Sequence, residues 1–73
     1  MGGLAKGLDV IRAFTQGAPS LTLSEVASRA SLPAATARRC LLTLAELGYV
    51  MQSGGNFLLR PNVLELGAAY LDS

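Results

Sequence analysis

The chain has no histidine, a single cysteine, three prolines and only 15% charged residues. Without histidine there is no imidazole base, no Ser-His or Cys-His dyad and no histidine metal ligand. One cysteine, Cys40, makes neither an internal disulfide nor a cysteine-rich zinc site, and it suits a reducing compartment. The carboxylates Asp9, Glu25, Glu46, Glu65 and Asp72 are scattered along the chain, and none has a nucleophile or base for a partner. Catalytic residues, metal and cofactor are therefore all expected to be absent. No apolar run approaches the roughly 20 residues needed to cross a bilayer. The start, Met1-Gly2-Gly3-Leu4-Ala5-Lys6, offers neither a signal-peptide stretch nor a hydroxyl at the sixth position for myristoylation. A cytoplasmic protein with no membrane partner is the expectation.

Seventy-three residues suffice for one small domain. A domain of this size buries only about 60% of its unfolded-chain surface, so its core is small. Yet 51% of the residues are hydrophobic, and counting the eight glycines in place of the two tyrosines makes the apolar fraction 59%, above the roughly 45–50% of an ordinary soluble domain. Such a surplus implies an apolar face meant for a partner. The net charge of +1 by itself favours neither nucleic acid nor its exclusion. The placement of the charges is more informative.

From Leu4 to Phe14, Leu4, Leu8 and Ile11 recur at helical spacing with Val10 and Phe14 beside them, while Lys6, Asp9 and Arg12 fall opposite. Gly17-Ala18-Pro19-Ser20 should end this first helix. Thr22-Leu23-Ser24-Glu25 is a capping box, with Leu21 and Val26 placed to form a hydrophobic staple. The second helix is short, stops near Ala30, and buries Leu23, Val26, Ala27 and Ala30. Pro33 suits the first position of a third helix, over about 33–47, whose stripe of Ala37, Leu41, Leu44 and Leu47 faces a core. Gly48 stands where a left-handed C-terminal residue is wanted.

The period then falls to about two. Tyr49-Val50-Met51-Gln52 and Phe57-Leu58-Leu59-Arg60 read as strands around the turn Ser53-Gly54-Gly55-Asn56. Pro61 closes the hairpin, and Asn62 to Leu71 returns to a helical pattern. Three helices, a two-stranded wing and a C-terminal linker helix make a mainly α winged helix-turn-helix. The expected division is a winged unit over 1–60 and the start of a linker helix over 61–73.

In helix-turn-helix units the second helix enters the DNA major groove, with its N-terminal residues facing base edges. Here those residues are small or basic: Ala34, Ala35, Thr36 and Arg38 are the candidate base readers, the first three toward a thymine methyl and Arg38 toward guanine. Arg39, with no acid in the helix until Glu46, adds local positive charge for phosphate. Thr22 and Ser24 at the start of the second helix, and Ser53 and Asn56 at the wing, are further candidate phosphate contacts. The wing tip has no Lys or Arg. The other reading of the same fold is a winged helix that dimerises or docks a protein without reading DNA, favoured by the apolar content and the small net charge.

The runs Leu21–Ala27, Leu32–Leu44 and Leu47–Val50 resemble the DNA-binding domain of IclR-type bacterial transcription regulators. The ending Pro61–Leu71 resembles their linker helix. Ala5-Lys6-Gly7-Leu8, Thr36–Arg39 and Leu41–Leu44 look most like the branch that controls aromatic-acid catabolism. The resemblance implies a double-stranded operator as partner and homodimers or pairs of dimers. It also implies a small-molecule effector bound by a further C-terminal domain. Thr36 and Arg38 would read bases, and Ser24, Arg39 and Thr43 would touch phosphate. The first helix and the linker helix would form the dimer contact, for which Leu4, Leu8, Val63, Leu66 and Tyr70 supply apolar surface. Five positions depart from the family, among them Asn56 and Arg60, which sit where the wing often reads differently. Ser31 replaces a usual glycine, so a left-handed residue there would cost on the order of 1 kcal/mol. Ala37 and Cys40 replace a usual valine and leucine.

Overall fold

The computed structural model describes residues 2–14 and 20–72. Its elements in order are α1 (Gly2–Arg12), β1 (Leu21–Thr22), α2 (Leu23–Ala30), α3 (Ala34–Leu47), β2 (Val50–Ser53), β3 (Asn56–Leu59), a 3₁₀ stretch (Pro61–Gly67) and α4 (Ala68–Leu71). Gly17, Ala18 and Pro19 of the expected turn lie outside the described residues.

The capping box forms as the sequence specifies. The Thr22 amide donates to Glu25 Oε1 at 2.8 Å, and the Glu25 amide donates to Thr22 Oγ1 at 3.2 Å. An N-cap has extended backbone, and Thr22 sits at φ −76, ψ 165. That extension lets Leu21 and Thr22 add to the sheet as β1. The sheet therefore has three antiparallel strands, in the order β1-β3-β2, where a two-stranded wing was expected. Leu21 pairs with Phe57 and Thr22 with Asn56, while Val50, Gln52 and Ser53 oppose Leu59, Phe57 and Asn56.

The core draws on the three longer helices and all three strands. Val10, Phe14, Leu21, Val26, Leu41, Leu44, Val50 and Phe57 are buried, with Ala13, Ala27 and Ala37 filling the gaps. Fully burying a Val, Leu or Phe side chain contributes about 1.5–3 kcal/mol, so these few residues carry most of the hydrophobic stabilisation. Leu23, Ala30 and Cys40 pack on the periphery of this cluster. Arg29 of α2 donates from Nη1 to the Ala13 carbonyl at 3.2 Å and so ties α2 to the end of α1.

Both internal helices end on left-handed residues. Ser31 lies at φ 57, ψ 45 and Gly48 at φ 93, ψ 10. In each, the next amide reaches back to close the last turn: Leu32 to the Ala27 carbonyl at 3.0 Å, and Tyr49 to the Leu44 carbonyl at 2.9 Å. These are Schellman closures. The strained residue anticipated at Ser31 is present, and it is the one non-glycine residue at positive φ among those described. Pro33 serves as the N-cap of α3 and not as its first residue, its carbonyl accepting from the Ala37 amide at 3.0 Å.

The helix expected over Asn62 to Leu71 is divided. Val63 donates to the Arg60 carbonyl, one residue tighter than an α-turn, and only Ala68–Leu71 is α-helical. No residue of the 3₁₀ stretch or of α4 is buried. Helices draw most of their stability from packing an apolar face, and this segment has little to pack against within the chain.

Candidate nucleic-acid interface

Helix α3 is anchored by Ala37, Leu41 and Leu44, all buried. Its side chains then divide by angle, since each residue turns the helix by a fixed amount and i, i+3, i+4 and i+7 share a face. Ala35, Arg38, Arg39 and Leu42 have that spacing, and all four are exposed. Neither Arg38 nor Arg39 has a hydrogen-bond or ion-pair partner among the described residues. Ala34 is exposed at the first turn, whereas Thr36 is half-buried on the flank. The first turn carries no side-chain cap and no acid. Its amides and the positive end of the helix dipole are thus directed outward without internal compensation.

The other flank of α3 meets α1. Between them runs an open apolar cleft of about 490 Å³, walled by Leu4, Leu8 and Ile11 on one side and by Cys40, Leu44 and Leu47 on the other. Leu66 of the 3₁₀ stretch reaches the same cleft, as do Arg39 and Thr43. Arg39 therefore belongs to two surfaces at once: its angle puts it at the rim where the outward stripe meets the cleft. Thr43 is exposed and stands on the cleft side, away from Arg38. The fold gives Arg38 and Arg39 different surroundings, as the different roles expected of them require.

The sheet register collects another group. Thr22, Asn56 and Ser53 are cross-strand neighbours across all three strands, so three of the candidate phosphate contacts form one polar row. The Thr22 hydroxyl accepts the Glu25 amide, which occupies part of its capacity. Ser24 is exposed next to this row on the first turn of α2. Gly54 at φ 60 turns the hairpin, and the tip is uncharged.

Asn56 and Arg60 are the wing positions at which the sequence departs from the family it resembles. Alternation along β3 and the following residue puts Asn56, Leu58 and Arg60 on one side. Arg60 is exposed there, with Nη1 3.8 Å from Met51 Sδ. Leu42, off the core stripe that defined the helix, is exposed beside Arg38 and Arg39.

Of the residues expected to self-associate, Leu4, Leu8, Leu66 and Tyr70 are exposed and Val63 is half-buried. Leu47, Leu64 and Leu71 add to the exposed apolar surface. No described helix is long and apolar enough to cross a membrane, and the described residues hold no cluster of His, Cys, Asp and Glu fit to bind a metal.

Residues 3–54 match the IclR helix-turn-helix domain. The chain is 47% identical over its whole length to the Pca regulon regulatory protein of Pseudomonas putida, of which it covers 25%. It is 39% identical over 71 residues, 97% of the chain, to the p-hydroxybenzoate hydroxylase transcriptional activator of Acinetobacter baylyi, covering 26% of that protein. Among solved structures, an IclR family transcriptional regulator from Brucella abortus superposes with a TM-score of 0.88 at 37% identity, covering all of this chain and 28% of that one. The chain thus spans about a quarter of the length of the curated relatives it matches. With the motif, the fold and the relatives in agreement, this chain belongs to the IclR family of DNA-binding transcription regulators and resembles its aromatic-catabolism branch.

Proposed function

We propose that α3 lies in the major groove of a double-stranded operator, with Ala34, Ala35 and Arg38 at base edges and Thr36 at their margin. The observation that carries this reading is the exposed, unpartnered Arg38–Arg39 pair on the outward face of a helix seated firmly on the core. In a chain of net charge +1, two adjacent guanidiniums with no acid nearby concentrate the positive potential on one turn. Arg39, Ser24 and the Thr22–Asn56–Ser53 row contact phosphate on either side, with Thr43 reaching a phosphate only from the cleft flank.

Two chains pair through α1 and the segment from Pro61 onward, burying Leu4, Leu8, Val63, Leu66 and Tyr70. The cleft and the exposed leucines around it support this pairing. Residues 1–60 form the DNA-binding unit, and 61–73 begin a linker to a domain that binds a small-molecule effector. A solved IclR homolog from Microbacterium hydrocarbonoxydans, 28% identical and complexed with 4-hydroxybenzoate, supports an aromatic acid as that effector's class. The whole regulator acts in the bacterial cytoplasm and is not an enzyme.

The deciding experiment is selection of sites from a random duplex library at low salt. Enrichment of an inverted repeat is the expected result. Binding that selects no sequence and does not weaken with added salt would instead make this a protein-docking module, because phosphate contacts release counterions with a log–log slope of about −0.9 each.

A further inference from the structure

We infer that Leu42 is a base-reading residue of α3 and accepts the C5-methyl group of a thymine one or two base pairs from the pair read by Arg38. The inference rests on the reading that α3 lies in the major groove.

Nine large apolar side chains are exposed among the described residues. Seven of them lie on α1, at Leu47, or on the segment 61–72, and four of these, Leu4, Leu8, Leu47 and Leu66, line the cleft already described. Met51 receives the Arg60 guanidinium on its sulfur. Leu42 alone is left. It is 44% exposed, is not one of the buried core residues, and does not line the cleft.

A single exposed leucine is ordinary; the setting of this one is not. Arg39 and Arg38 precede it by three and four residues and Ala35 by seven, so it shares the outward stripe with two cations and a methyl. On that stripe every other residue before Glu46 is small or cationic. The major groove offers one apolar group on a base edge, the thymine methyl. A branched aliphatic side chain among groups suited to guanine and phosphate matches that one feature. The spacing agrees as well. Leu42 lies about 6 Å beyond Arg38 along the helix axis, and base pairs are stacked about 3.4 Å apart. The two contacts therefore fall one or two steps from each other.

The test uses the site recovered by selection, with each thymidine replaced singly by deoxyuridine, which removes only the methyl. Affinity is measured for the parent and for Leu42→Ala, whose folding should be unaffected because the side chain is off the core. At one thymine per half-site, one or two pairs from the guanine that Arg38→Ala ceases to distinguish, uracil should weaken the parent about fourfold, the value of burying one methyl. The same replacement should leave Leu42→Ala unchanged. If every uracil weakens both proteins equally, the assignment is wrong, and any methyl contact belongs to Ala34, Ala35 or Thr36. If Leu42→Ala loses self-association while keeping the parent's uracil profile, Leu42 is a protein contact. If the parent selects no site at all, the groove reading itself falls, and this inference with it.

Discussion

The Leu32 amide donates to the Ala27 carbonyl at 3.0 Å, and closing that loop holds Ser31 between them at φ 57, ψ 45. This turn sets the angle at which α3 leaves α2. A left-handed conformation costs a non-glycine residue roughly 1–2 kcal/mol, and Ser31 is exposed, so nothing in the core repays it. Ser31→Gly should therefore stabilise the domain by up to about 1 kcal/mol, the gain being reduced by glycine's freedom in the unfolded chain. Urea unfolding measures it. A lower midpoint for the glycine variant would show that the serine hydroxyl contributes something the backbone geometry does not reveal.

Arginines that hold the fold together should be separable from arginines that touch DNA. Arg29 donates to the Ala13 carbonyl from a part-buried position, whereas Arg38 has no internal partner among the described residues. Replacing Arg29 by methionine should cost about 1.5–3 kcal/mol of stability, the usual value of a hydrogen bond to a charged group. Arg38→Met should change stability by less than about 0.5 kcal/mol, as surface substitutions do. Parallel urea curves decide this, and equal losses for both would contradict the division.

On DNA the order reverses, and Arg38 and Arg39 should differ from each other. Arg38→Ala is expected to cost about 1–3 kcal/mol on the preferred site and to relax the choice at one base pair. Arg39→Ala should weaken binding to all sequences alike and lower the salt slope by about 0.9. Because Arg39 also stands on the wall of the cleft, its replacement should perturb self-association, which Arg38→Ala should not. Titration of selected and scrambled duplexes at several salt concentrations separates the two effects.

How much of this could be read from the chain follows from how local each signal is. The capping box, the Gly48 closure and the Gly54-Gly55 turn involve residues a few positions apart, and all three were legible. Strand β1 was not, because Leu21 and Thr22 become a strand only by pairing with Phe57 and Asn56 across the fold. Nor was the role of Arg29, whose partner Ala13 is sixteen positions away. The site divides in the same way. Ala35, Arg38 and Arg39 follow from helical spacing alone. That Arg39 and Thr43 border an apolar cleft depends on where α1 comes to rest. The 3₁₀ stretch went unseen for a different reason: the apolar pattern after Pro61 is helical, but a helix also needs a surface to lie on, and one chain supplies too little of it.

That last point bears on assembly. Leu66 and Leu8 are 54% and 51% exposed on adjoining walls of one cleft, so a charge at either should leave the monomer's fold nearly intact while placing an unpaired carboxylate in any apolar contact. Leu66→Glu is expected to keep the unfolding midpoint at low concentration and to shift sedimentation at high concentration toward monomer. Burial of an unpaired charge strongly opposes association. If pairing supplies the surface that the 61–71 segment lacks, far-UV circular dichroism of the parent should also gain helical signal with concentration, as the 3₁₀ turns relax to α-helix. The Leu66→Glu variant should show no such gain. A parent whose spectrum is independent of concentration while sedimentation reports dimers would place the contact on α1 alone, with the C-terminal segment outside it.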